Sequence, residues 1–215
     1  MRLKGILMAS AFCVGATAAN AALIDFTDYG DYVITPANVA SGAGVGAGVT
    51  WTLTGSGPLN NSEAGPGPIG PLAGQNDGIG IIDDEISSGK KGSETANLTF
   101  SQSVTVVGLY FLDLFRANTG SVYEQAAVSV DGGPAILFKA LVPFSNGIGY
   151  AAYTGLSLTG TSFVFSELGN DNVGVGDYAL AGVEIAPIPL PAGILLLGGA
   201  LLGLGALGRR RKVSA

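Results

Sequence analysis

Seven stretches of this chain alternate apolar with polar or small residues at a period of two, and no segment carries the three-and-four spacing of an amphipathic helix. They are "GVTWTLTG" (48–55), "ETANLTF" (94–100), "VTVVGLYFLDLF" (104–115), "EQAAVSVDGG" (124–133), "AILFKAL" (135–141), "TSFVFSEL" (161–168) and "DYALAGVEIA" (177–186). Successive side chains on a strand point to opposite faces, so this alternation predicts strands with one face in a core. Gly, Asn, Asp or Pro stands between most of the runs, supplying the backbone freedom that turns require. Seven to nine strands in the body predict an all-β fold. The expected arrangement is an antiparallel β-sandwich, jelly-roll-like in its connections. No repeat of fixed period is visible, which argues against a solenoid.

Two segments break the alternation. "SGAGVGAG" (41–48) and "GPLNNSEAGPGPIGPLAG" (57–74) are rich in Gly and Pro and read as mobile loops over one end of the sandwich. The charge distribution then narrows the function. Between Asp25 and Glu184 there are sixteen acidic residues against four basic ones, a net charge of −12, and the other six cations sit at the chain ends. A body this acidic repels nucleic acid, whose binding proteins use clustered Lys and Arg to displace phosphate counterions. No nucleic-acid partner is expected.

Both ends read as addresses. In "MRLKGILMASAFCVGATAANAALIDF", Arg2 and Lys4 precede an apolar stretch, and Ala19-Asn20-Ala21 offers the small residues of a signal-peptidase site. Residues 1–21 therefore read as a signal peptide cleaved after Ala21, leaving 22–186 as the exported body. The sole cysteine, Cys13, lies inside that signal, so the mature body has no thiol and no disulfide. At the other end, residues 192–208 are uncharged and apolar, about 25 Å as a helix against a hydrocarbon core of about 30 Å. Arg209, Arg210, Arg211 and Lys212 follow at once. Such a cluster stays on the cytoplasmic side and sets the orientation of a single transmembrane helix. Ahead of it, Pro187, Pro189 and Pro191 hold the chain extended, because proline fixes its own φ and disfavours helix in the residue before it.

These three parts in order, the run Ile188-Pro189-Leu190-Pro191-Ala192, the apolar helix and the basic end, resemble the C-terminal sorting signal of the VPLPA-CTERM group. That group is a branch of the PEP-CTERM proteins of Gram-negative bacteria. Ile188 stands where the motif's name has Val, one β-branched aliphatic for another. The resemblance covers residues 187–215 closely and the body only loosely. It implies that an exosortase, an integral-membrane cysteine transpeptidase-like enzyme, recognises the motif and releases or transfers the protein. It further implies transient anchoring in the inner membrane, then display at the cell surface or release into an exopolysaccharide or biofilm matrix.

The body has few means of catalysis. Histidine is absent, which removes imidazole proton transfer, Ser-His-Asp triads and the usual zinc sites. Carboxylates remain. The densest group is "QNDGIGIIDDEISSG" (75–89) with Asp77, Asp83, Asp84 and Glu85, and "GNDNVGVGD" (169–177) adds Asp171 and Asp177. Stretches of the first kind are similar to what many PEP-CTERM bodies carry before their central strands. Two readings of these loops stay open: plain turns, which favour the same residues, or a calcium site, since calcium takes six to eight oxygen ligands. Trp51, Tyr110, Tyr123, Tyr150, Tyr153 and Tyr178 could offer stacking faces to a sugar, although aromatics on strands more often pack in cores. The leading expectation is a non-enzymatic surface or matrix protein. The alternative is a calcium-dependent carbohydrate-binding module, and a carboxylate hydrolase employing Glu85 stands third.

Overall fold

The computed structural model describes residues 21–186, apart from 43, 47, 90–91, 119–122 and 168–175. Residues 1–20 of the expected signal peptide, including Ala19, the sorting motif Ile188–Ala192, the apolar run 192–208 and the basic stop Arg209–Lys212 lie outside the described residues, as does Asp171.

The body is largely β, built on one antiparallel sheet of nine strands. In chain order these are β1 (Ala22–Asp25), β2 (Tyr32–Ile34), β3 (Val39–Gly42), β4 (Trp51–Gly55), β5 (Thr95–Leu112), β6 (Gln125–Val130), β7 (Ile136–Lys139), β8 (Ala151–Glu167) and β9 (Ala179–Ile185). The 18-residue β5 is the spine. Along one edge it pairs with the 17-residue β8, which leads on to β6 and β7. Its other edge is shared. The first half, Ala96 to Phe100, takes β4 and through it β3 and β2, whereas Val106 to Leu112 takes β9 and through it β1. Ala22 lies opposite Ile185, so the chain enters and leaves the body side by side.

Burial follows that division. From Ala96 to Phe100 alternate residues of β5 are buried, the signature of one covered face, while Gly108 to Leu112 are buried on both. The main core runs through Phe26, Trp51, Leu53, Leu98, Phe111, Phe163 and Tyr178, with Trp51 and Tyr32 edge-on to Phe26 and Tyr178 edge-on to Phe111. A second, small cluster of Leu72, Tyr110, Leu112, Ala179 and Ala181 covers the opposite face. Leu72 belongs to the Gly/Pro-rich segment 57–74, expected as a mobile loop. In the fold that segment is tied down, with Leu59 and Leu72 buried and Leu59–Asn60 forming a short ladder with Gly80–Ile81.

The tie is made by two residues at the end of β1. The Asp25 carboxylate accepts hydrogen bonds from the Thr27 N–H (2.8 Å), the Thr27 hydroxyl (2.6 Å) and the Ala73 N–H (2.7 Å). Thr27 in turn accepts from Gly74 N–H at its hydroxyl and from Gln75 and Asn76 N–H at its carbonyl. Four successive backbone donors of the segment, Ala73 to Asn76, are satisfied in this way, as burial demands.

Candidate functional site

The acids gather where β5 ends and β9 begins. Ala179 pairs with Leu112, so Asp113 and Asp177 flank one end of the same ladder. The loop 76–86 is stitched to that end. Ile79 and Leu180 exchange both backbone hydrogen bonds at 3.0 Å, and Ile86 N–H donates to Tyr178 O. Two glycines make this approach feasible. Gly78 sits at φ 115° with the Leu180 carbonyl oxygen 2.7 Å from where a Cβ would stand, and at Gly80 a Cβ would fall 2.0 Å from Asp84 C and Glu85 N. Asp77, immediately before Gly78, is thereby carried into the interior, 5 % exposed.

The turn that follows is tight. Ile81 N–H donates to Glu85 O, and Asp83 N–H donates to Ile81 O across Ile82, whose φ is 70°. This is a three-residue γ-turn with positive φ at its centre, a strained conformation for a β-branched residue. It sends neighbouring acids in different directions. Asp84 turns toward Asp77 and the exposed Glu63, one carboxylate oxygen from each of the three lying within 4.8 Å of the others. Asp83 points to solvent. Glu85 turns the other way and hydrogen-bonds Asp177. Asp113 completes the wall on Asp77's side. Glu63, Asp77, Asp113, Leu112, Gly147 and Ile148 line a cavity of about 130 Å³. Asp113 is held there with φ 55°, its N–H donating to Ile148 O, and Gly149 packs so closely that a Cβ would meet Asp113 Cα at 2.6 Å.

Crowded acids with little water and like-charged neighbours hold their protons. Burial, then the charges of Asp113 and Asp84, push Asp77 up to about 6. Burial, then Glu63, Asp84 and Asp177, push Asp113 up to about 6. Glu63 is raised chiefly by its hydrogen bond and charge contact with Asp84. Burial and then Asp177 take Glu85 to about 9, so it keeps its proton and donates it to Asp177. Glu124 is driven to about 8, first by burial, with Asp177, Glu167 and Asp113 adding to it against the hydrogen bond from Phe115 N–H.

Of the acids singled out in the sequence, the fold thus joins Asp77 with Asp84 and, separately, Glu85 with Asp177. It leaves Asp83 on the surface. Glu63 and Asp113 were not anticipated, because the first sits in a Gly/Pro-rich run and the second inside an expected strand. Chemically the Glu63–Asp77–Asp84 group is an all-oxygen, hard donor set. The Glu85–Asp177 pair is in hydrogen-bond contact, closer than the separation of about 5–9.5 Å that glycosidase carboxyls require. Among the aromatics considered as sugar platforms, Trp51, Tyr110 and Tyr178 are buried. Tyr110 donates to Glu184 and Tyr178 to the Ser166 carbonyl. Tyr123, Tyr150 and Tyr153 retain partial exposure. Comparison with protein-family models finds no match to this chain, and comparison with curated proteins finds none either.

Proposed function

We propose that the chain is an exported, non-enzymatic surface or matrix protein of a Gram-negative bacterium, sorted by an exosortase-type membrane enzyme that reads residues 188–192. The observation that carries this reading is the order of the C-terminal parts: a proline motif, an uncharged apolar run long enough to span, and four consecutive cations. A cleavable signal at the other end gives the complementary topology, body outside and basic stub inside. The side-by-side exit of the two chain ends from the body supports it, since one point of attachment then serves both addresses. In this reading the body is a β-sandwich of jelly-roll kind, displayed or released among extracellular polysaccharide after transient residence in the inner membrane.

Replacing Arg209, Arg210, Arg211 and Lys212 with Gln tests the proposal, with the intact mass of the protein recovered from its native host as the readout. The expected result is a wild-type protein shortened near Ala192 and a variant that retains its C-terminus. A full-length wild-type protein in a host that has the processing enzyme, or identical masses for both, overturns it. The alternative of a calcium-dependent carbohydrate-binding module is supported by the acidic cluster but not by the aromatics, half of which are consumed by the core.

A further inference from the structure

The sorting proposal makes no use of the acidic cluster, and one observation sets that cluster apart from ordinary surface charge. Asp77 is 5 % exposed, and its Oδ1 is buried with no hydrogen-bond partner. A buried carboxylate oxygen with nothing to accept from is costly, and such groups are normally paired, protonated or bound to a metal. The charged groups around Asp77 are Asp113, Asp84 and Glu63, all acidic. Among the described residues no cation balances them.

We infer that Glu63, Asp77 and Asp84 form a calcium site, with Asp113 facing it across the same cavity. The three carboxylate oxygens lie within 4.8 Å of one another, close enough for one ion to contact all three. Calcium accepts irregular oxygen sets drawn from separate segments, whereas magnesium demands near-ideal octahedral geometry and keeps its waters. The donors are all oxygen, which disfavours zinc or copper. Three carboxylates leave three to five positions for backbone carbonyls and water, and the cavity has room for water beside Asp77. The residues come from three separate segments, the loop at 63, the buried stretch at 77 and the strained turn at 84. An ion there would add a cross-link to a region held by the Asp25 and Thr27 hydrogen bonds, the short ladder at Gly80–Ile81 and the Ile79–Leu180 exchange.

The test uses the full-length chain, purified in mild non-ionic detergent and stripped of divalent ions, with calcium chloride as the probe. Calorimetry should show one calcium per chain, with a dissociation constant of about 10⁻⁴–10⁻³ M, the range of extracellular calcium modules. A tenfold excess over that constant should raise Tm by roughly 3–6 °C for a body of this size. Magnesium should give less than half that shift. Glu63 is exposed, so Glu63→Gln leaves the metal-free Tm unchanged while weakening calcium binding roughly tenfold, a typical consequence of damaging a metal site. Asp77→Asn removes the calcium response while its metal-free Tm stays level or rises, because a neutral isostere replaces a buried acid. Asp83→Asn, on the same turn but facing solvent, leaves both readouts alone. No calcium-dependent rise overturns the inference. So does an equal rise with magnesium, or equal weakening by Glu63→Gln and Asp83→Asn, since each reduces the effect to general screening. Should Asp77→Asn fail to fold, the Glu63→Gln and Asp83→Asn pair still decides.

Discussion

Replacing Asp25 by Asn probes what holds the Gly/Pro-rich segment against the sheet. The carboxylate accepts two hydrogen bonds at Oδ1, from Thr27, and one at Oδ2, from Ala73 N–H. An amide has one acceptor oxygen. If that oxygen keeps Thr27, the new NH₂ group confronts the Ala73 N–H; if the amide flips, it confronts the Thr27 N–H. Either orientation strands one backbone donor and removes the ionic character of the other bonds. Hydrogen bonds to charged groups contribute about 1.5–3 kcal/mol, and an unsatisfied buried donor costs about 1–3 kcal/mol. Counting the two as overlapping descriptions of one loss, we expect a destabilisation of about 2–4 kcal/mol. That corresponds to a fall in Tm of roughly 4–16 °C at about 2–4 °C per kcal/mol. Thermal melts of the full-length chain measure the total, and amide hydrogen exchange locates it. Protection should drop first at Ala73, Gly74, Gln75 and Asn76, whose N–H groups all bond to Asp25 or Thr27. A Tm within about 1 °C of wild type, or unchanged exchange at these four amides, would refute the reasoning.

Three further outcomes are expected. Gly80→Ala should cost more than about 2 kcal/mol in urea denaturation, because its Cβ would overlap the Asp84–Glu85 backbone and the turn must move. Phe111→Ala, which empties a fully buried position in contact with Phe138, Tyr153 and Tyr178, should cost about 3–5 kcal/mol in the same assay. Glu124 holds its proton more tightly folded, at about 8, than its ordinary value of 4.5. Its favourable contribution is therefore complete below about pH 4.5 and is lost as pH rises through about 8. In chelator, Tm should fall between pH 5 and 8, and Glu124→Gln, which can still accept from Phe115 N–H, should make that decline shallower. A slope identical to wild type would contradict the assignment.

Much of the sheet could be read from side-chain alternation. "WTLTG", "QAAVSV" and "ALAGVEI" are strands within the expected stretches; in "WTLTG" one buried face imposes a period of two, whereas "ALAGVEI" is buried on both faces. The errors came from residues that imitate punctuation. Ser101-Gln102-Ser103 are all exposed and looked like a turn between two strands, yet the backbone runs straight through them as the middle of β5. Gly155 and Gly160 likewise hid the first ten residues of β8, where register shifts at Thr154/Leu158 and Gly160/Ser162 absorb them as irregularities inside a continuous strand. The strands β1 to β3 are three or four residues each, too short for alternation to register. At the site, Asp77 and Asp84 were visible as a local density of acid. Glu63 and Asp113 join them only through tertiary folding, and no spacing in the sequence encodes that meeting. The divergence of Asp84 from Glu85 depends on one positive φ at Ile82, a residue type that rarely adopts it.

The pairing of Ala22 with Ile185 also fixes an order of events. In the sheet β1 has β9 as its neighbour, and β9 is the last strand of the body to be synthesised. At about 5–20 residues per second the first strand waits on the order of ten seconds for its partner. Until then β5 has an unfilled edge from Val106 to Leu112, and the core residues of β9, Leu180, Val183 and Ile185, are missing from their places. Contacts so distant in sequence are slow to form even after synthesis is complete. The sheet therefore cannot complete the pairing of its first strand until nearly the whole body has been synthesised.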